Sequence, residues 1–217
     1  MSYKAVVFDL DGTLLDTLDD LADSMNAALA EAGFAPHPTE AYKTFVGDGM
    51  DKLARRTLPA ESRTDEQAAK MLAAMRKQYA VRWADKTKPY DGICEMLTAL
   101  VENGLKITVL SNKPDDFTKL CVERFLGDYD FDIIQGVAED CPAKPDPRGA
   151  KNISQKLGLA VENILYLGDT NTDMLTAKAA GMHAVGVTWG FRSAEELKAN
   201  GARTLIDHPL ELLELIR

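Results

Sequence analysis

Two carboxylates, Asp9 and Asp11, flank a leucine at the end of the apolar run Ala5-Val6-Val7-Phe8, and Gly12-Thr13 follow. Residues two apart on an extended chain project to the same side. Both carboxyl groups can therefore face one point: one could attack phosphorus while the other protonates a leaving alkoxide and then activates water. Gly12 would let the chain turn sharply and offer backbone N–H groups to a phosphate. The same five residues also describe a capped turn with two solvated aspartates, because Asp and Gly dominate ordinary turns.

Three further fragments carry compatible chemistry. Ser111-Asn112-Lys113 follows the apolar stretch ending at Leu110, where a hydroxyl and a backbone N–H could hold a phosphoryl oxygen or simply open a helix. In Lys144-Pro145-Asp146-Pro147, Lys144 offers a compact positive charge for a carboxylate nucleophile and a transferred phosphoryl group. The prolines would stiffen its loop. In Gly168-Asp169-Thr170-Asn171-Thr172-Asp173, a helix beginning at once would put Asp169 and Asp173 on one face near its positive end. Oxygen ligands of that kind suit Mg2+, which keeps several waters and accepts one or two carboxylates. Taken singly, each fragment also reads as a cap or a surface residue.

The elements that must position them follow from hydrophobic pattern. Leu105 to Leu110, Phe131 to Ile134, Ile164 to Leu167, Ala184 to Val187 and Thr204 to Ile206 read as strands. Segments of helical period alternate with them, such as Ile93 to Val101 closed by Gly104 and Met174 to Ala179 closed by Gly181. That alternation predicts an α/β fold with a doubly wound, Rossmann-like parallel sheet. Residues 16–88 contain no convincing strand but three helical stretches: one after Thr17 and Asp20 up to Gly33, one around Met50 to Leu58, and one from Gln67 to Trp83. A crossover needs one helix. The expected organisation is thus a catalytic core of 1–15 and 89–217 with a helical cap of 16–88, inserted where ligands bind in such sheets.

All four fragments then fall at carboxyl ends of parallel strands, the edge where a doubly wound sheet builds its site. Unit charges about 4 Å apart repel by about 4 kcal/mol at an effective dielectric near 20, so clustered aspartates facing a phosphate require a cation. Mg2+ is the expected cofactor.

Composition sets the outer limits. The chain has 217 residues, 46% of them hydrophobic, enough to bury a core without disulfides. A formal net charge of −9 argues against nucleic-acid or anionic-membrane partners. Cys94, Cys121 and Cys141 lack metal-ligand spacing and read as reduced packing thiols. No membrane span or signal-peptide pattern is evident, so a cytoplasmic location is expected. His37, His183 and His208 lie outside every motif, as do Met71, Met75, Tyr79 and Trp83, whose helical spacing suits a core. Asp19-Asp20 and Glu195-Glu196 read as solvated faces or caps.

Taken together, DLDGT, SNK, KPDP and GDTNTD resemble the motifs of the haloacid dehalogenase superfamily of aspartate-nucleophile phosphatases, over the whole chain. That resemblance implies Asp9 as nucleophile and metal ligand, and Asp11 as acid/base with its backbone carbonyl on the metal. Gly12, Ser111, Asn112 and Lys144 would bind phosphate. Asp169 would complete the Mg2+ site, and Asp173 would assist through water or hold Lys144. Phe45-Val46-Gly47-Asp48-Gly49 with Arg56 looks like the cap segment of phosphoglycolate phosphatases. Gly47, Gly49, Arg56 and Lys113 are then candidates for contacts with the rest of a small phosphorylated metabolite. Pyrophosphatases, sugar-phosphate phosphatases and phosphomutases share much of this pattern. A dehalogenase would have no use for Asp11, and a phosphoacceptor signalling domain would not need the cap. Monomer and homodimer both remain open.

Overall fold

The computed structural model describes residues 3–216. Asp16–Lys88 form one compact unit, and the chain before and after it forms the other. The larger unit is built on a six-stranded sheet of order β5-β4-β1-β6-β7-β8. Its strands are β1 (Ala5–Phe8), β4 (Lys106–Pro114), β5 (Ile133–Val137), β6 (Ile164–Gly168), β7 (His183–Val187) and β8 (Thr204–Ile206), and every pairing is parallel. Two short strands, β2 (Leu15–Asp16) and β3 (Lys88–Pro89), mark where the chain passes between the units.

Every residue of β1 and β6 is buried. Both faces of these strands are covered, and continuous apolar runs rather than alternation are what such strands need. On one face Ala5, Val7, Ile164 and Tyr166 pack with Ile153 of α7 (Arg148–Leu157), Met174 and Ala177 of α8 (Asn171–Ala180) and Leu197 of α9 (Ala194–Ala199). Helices α5 (Ile93–Glu102) and α6 (Asp115–Leu126) complete the unit. Gly181 ends α8 in the left-handed conformation, φ +84°, as the glycine there foretold.

Because β1 lies between β4 and β6, the chain builds outward on one side, to β5, and then returns to the other. That reversal at β1 is the topological switch point at which open α/β sheets place ligands.

The inserted unit contains α1 (Leu18–Glu31), α2 (Tyr42–Phe45), α3 (Met50–Arg56) and α4 (Asp65–Arg82), with two 3-10 turns. That is one helix more than the expected three, because α2 is a single turn too short to show a period. Met71, Met75 and Tyr79 of α4 are buried, as their spacing suggested. His37 joins this packing through Asn26 and the Thr57 carbonyl. No helix of the described residues is long and apolar enough to cross a membrane.

Asp20 departs from its reading as a solvated or capping residue: it is 1% exposed. Its carboxylate accepts the N–H groups of Lys86 (3.0 and 3.1 Å) and Thr87 (2.8 Å) and the Thr87 hydroxyl (2.7 Å). The acid ties the first turn of α1 to the last residues of the inserted unit. Thr17, meanwhile, makes no side-chain capping bond. Hydrogen bonds to a buried charge are worth about 1.5–3 kcal/mol, and removing the acceptor strands the donors. Asp20→Ala should therefore lower unfolding stability by about 2–3 kcal/mol in urea, while the exposed neighbour, Asp19→Ala, changes it by less than about 0.5 kcal/mol. Equal effects would reject the clamp.

Candidate active site

Four adjacent strands, β5, β4, β1 and β6, lead into the motif residues. Phe8 of β1 pairs with Val109 of β4 on one side and Leu167 of β6 on the other, so Asp9 emerges between their ends. Its N–H donates to the Leu167 carbonyl at 2.9 Å. Its side-chain Oδ1 accepts the Leu10 N–H at 2.7 Å and lies 2.8 Å from Nζ of Lys144. The same ammonium donates to Oδ1 of Asp173 at 2.7 Å and to the Leu110 carbonyl at 3.1 Å.

Lys144 reaches this position on a backbone held from β4. Oδ1 of Asn112 accepts the Lys144 N–H at 2.7 Å, and Nδ2 of Asn112 donates to the Lys144 carbonyl at 3.2 Å. Asp173, in the first turn of α8, is fixed by the Thr170 N–H (3.1 Å) and hydroxyl (2.6 Å) on Oδ2 and by the Tyr166 hydroxyl (3.3 Å) on Oδ1. Asp169 accepts the Thr13 hydroxyl on Oδ1 at 2.9 Å and the Phe191 N–H on Oδ2 at 2.8 Å.

Asp9, Asp169 and Asp173 are all buried, and one carboxylate oxygen from each lies within 4.8 Å of the others. Burial pushes the Asp9 carboxyl well above its ordinary range, and Asp173 and Asp169 push it further against the pull of Lys144. Burial and then Asp173 raise Asp169 to about 7, although the Phe191 and Thr13 donors oppose the rise. Burial alone would lower Lys144, but Asp173 and Asp9 outweigh it and hold the ammonium well above its ordinary value. Three buried carboxylates thus stand near one ammonium, which of the three bonds only Asp9 and Asp173, and the excess negative charge with oxygen-only donors fits a hard divalent cation.

Several expectations change at this level. Ser111-Asn112-Lys113 does not lie beyond the strand: β4 runs through it to Pro114, with its register against β5 shifting between Leu110 and Pro114. Ser111 is buried within β4, and Asn112 directs its side chain to Lys144 rather than outward. Asp169 is not on a helix face. It precedes Thr170, the N-cap of α8, and the loop rather than helical spacing brings it near Asp173. Gly12 does adopt φ +82°, but its own N–H donates to the Leu15 carbonyl at 2.9 Å, which occupies the group expected to meet phosphate. Asp11 stands outside the three-carboxylate group; its Oδ1 lies 3.0 Å from Nζ of Lys113, whose side chain is buried. Lys113, grouped above with the inserted unit's residues, therefore belongs to the DLDGT neighbourhood.

Within the inserted unit, Gly47 and Gly49 have φ of +115° and +93°. Arg56 pairs with the Asp48 carboxylate between them and donates to the Phe45 carbonyl at 3.0 Å. The carboxylate it meets here is the loop's own. Burial would raise Asp48, but the Arg56 guanidinium and then Lys52 hold it below its ordinary value.

Thr13, Thr170, Tyr166 and Phe191 received no role from sequence. Thr13 and Thr170 lie inside the motifs, and Phe191 follows a strand end, so position alone could have marked them. Tyr166 lies within an apolar strand and carried no such signal.

The family model described as haloacid dehalogenase-like hydrolase matches residues 6–187. A phosphoglycolate phosphatase of Mannheimia succiniciproducens is 36% identical over 196 residues, covering 87% of each chain. One from Nitrosospira multiformis is 31% identical and covers 100% of this chain and 97% of its own. Among solved structures, a Lactobacillus delbrueckii subsp. bulgaricus protein, itself named only as a candidate phosphoglycolate phosphatase, superposes with a TM-score of 0.94. It is 30% identical and covers 100% of this chain and 99% of its own. With its parallel sheet, its carboxylate group and these likenesses, the chain belongs to the haloacid dehalogenase-like hydrolase family.

Proposed function

We propose that this phosphatase hydrolyses 2-phosphoglycolate to glycolate and phosphate by way of an aspartyl-phosphate on Asp9, with Mg2+ as cofactor. The observation that carries the mechanism is the convergence of Asp9, Asp169 and Asp173 on one buried point, with Lys144 bridging Asp9 and Asp173. The substrate is supported by relatives of this length that bear the name phosphoglycolate phosphatase.

Asp9 Oδ attacks phosphorus and the bond from phosphorus to the ester oxygen breaks. Asp11 delivers a proton to the departing glycolate oxygen. Asp11 then takes a proton from the water that attacks the aspartyl-phosphate, which releases phosphate and restores Asp9. Lys144, Ser111 and the end of β4 orient the phosphoryl oxygens, while Asp173 holds Lys144 in reach of Asp9. Mg2+, held by Asp9, Asp169 and the Asp11 carbonyl with Asp173 behind them, would offset the negative charge of nucleophile and phosphoryl group.

Phosphate release in Mg2+ should show kcat/KM for 2-phosphoglycolate at least tenfold above sugar phosphates, pyrophosphate and nucleotides, about 1.4 kcal/mol of transition-state preference. Asp9→Asn should lose about 10³-fold or more with every ester. A different leading ester would change the substrate and leave the mechanism; an active Asp9→Asn would reject the nucleophile.

Cation binding should also be linked to pH. Because the folded-state value of Asp169 is about 7, above the ordinary 3.8, the folded protein holds this proton more tightly than the unfolded chain. The stability associated with it is present below about 4 and is lost as pH rises through about 7. In EDTA, wild type should lose Tm relative to Asp169→Asn between pH 5 and 7.5. MgCl2 should raise the wild-type Tm more at pH 7.5 than at pH 5. A Mg2+ shift independent of pH would contradict the assignment.

A further inference from the structure

The segment Trp189-Gly190-Phe191 follows β7, whose last pair is Val187 with Ile206; the Thr188 N–H still donates to the Ile206 carbonyl, and the chain then leaves the sheet. It meets none of the four motifs in sequence, yet in space it lies against two of them. The Trp189 indole Nε1 donates to the Thr13 carbonyl at 3.0 Å. The Phe191 N–H donates to Oδ2 of Asp169 at 2.8 Å, and Phe191 is itself buried.

Between them Gly190 has no room for a side chain. A Cβ placed there would stand 2.3 Å from Cβ of Asp169, 2.4 Å from the Gly12 carbonyl oxygen and 2.5 Å from Oδ2 of Asp169. Gly12 is closed in from the other side: a Cβ on it would stand 2.3 Å from Oδ2 of Asp169 and 2.8 Å from the Phe191 ring. The DLDGT turn, the Asp169 carboxylate and this segment are therefore a single interlocked stack.

Asp169 consequently has one donor on each oxygen, and the two come from opposite ends of the chain: the Thr13 hydroxyl on Oδ1 and the Phe191 N–H on Oδ2. A carboxylate held on both oxygens has a fixed plane and position, and one held only on Oδ1 could rotate. We infer that Trp189-Gly190-Phe191 is a positioning segment for Asp169, which sets how tightly the three-carboxylate group binds a divalent cation and touches neither the cation nor the substrate. The inference rests on the proposed reading of Asp9, Asp169 and Asp173 as a cation site.

Groups that orient a metal ligand typically change metal affinity by about 10- to 100-fold when lost. The test is calorimetric titration of the full chain with Mg2+ and with Mn2+, free of substrate, for wild type, Gly190→Ala and Trp189→Phe. Gly190→Ala must displace either Asp169 or the Gly12 carbonyl and should weaken binding by about tenfold or more. Trp189→Phe keeps an aromatic ring at this position but removes the N–H that the Thr13 carbonyl accepts, and should weaken binding by about threefold with unchanged circular dichroism. If Gly190→Ala does not fold, Trp189→Phe decides the question. For the folded variants, lost turnover should return at high Mg2+ with KM for the ester unchanged at saturating cation. Wild-type affinity in these variants would overturn the inference alone. Absence of saturable Mg2+ or Mn2+ binding in wild type would overturn both the inference and the cation site beneath it.

Discussion

The ammonium of Lys144 is the group on which the architecture of the site depends. It lies under the carboxyl ends of β1 and β4, 2.8 Å from Asp9 and 2.7 Å from Asp173, with almost no solvent contact. Taking an ion out of water is expensive, and a buried ion pair repays this only with good geometry and further hydrogen bonds. Here the ammonium also donates to the Leu110 carbonyl, and Thr170 and Tyr166 donate to Asp173. The stiff loop at 143–147, the inward side chain of Asn112 and the placement of Thr170 at the start of α8 all serve to keep that one charge between two carboxylates.

The arrangement is incomplete as a charge balance, and that incompleteness is chemical. Three buried carboxylates with one ammonium can be brought to rest by protons or by a cation, and the raised positions of Asp9 and Asp169 express the first alternative. Protons and divalent ions then compete for the same oxygens. The donors of such a site, all oxygen, favour oxygen-seeking ions.

Much of the sheet could be read from the chain because buried parallel strands are continuous apolar runs, and Ala5–Phe8 and Ile164–Leu167 are such runs with nothing polar to obscure them. The four motifs were visible because they fall together at the carboxyl ends of parallel strands, although each alone also reads as a turn or cap, and their resemblance to the haloacid dehalogenase motifs agrees with the family to which the chain belongs. What could not be read was settled by partners distant in sequence. Asn112 turns to Lys144, thirty-two residues on, and Asp20 turns inward to Lys86 and Thr87. Local preference makes Ser-Asn-Lys-Pro a loop, yet β4 extends through it because the neighbouring strand and the Lys144 loop supply partners. Arg56 was legible as a cation near a glycine-rich loop but not as the residue that pairs with Asp48.

The placement of β1 has a consequence in time. Val6 pairs with Ile107 and with Leu165, so the strand that carries Asp9 finds its neighbours only after about one hundred and then about one hundred and sixty further residues exist. On the ribosome Asp9 therefore emerges well before the residues it will face. Lys144, Asp169 and Asp173 arrive late and nearly together. Until they do, the carboxylate group and its ammonium are not assembled, and they come together only as the sheet completes.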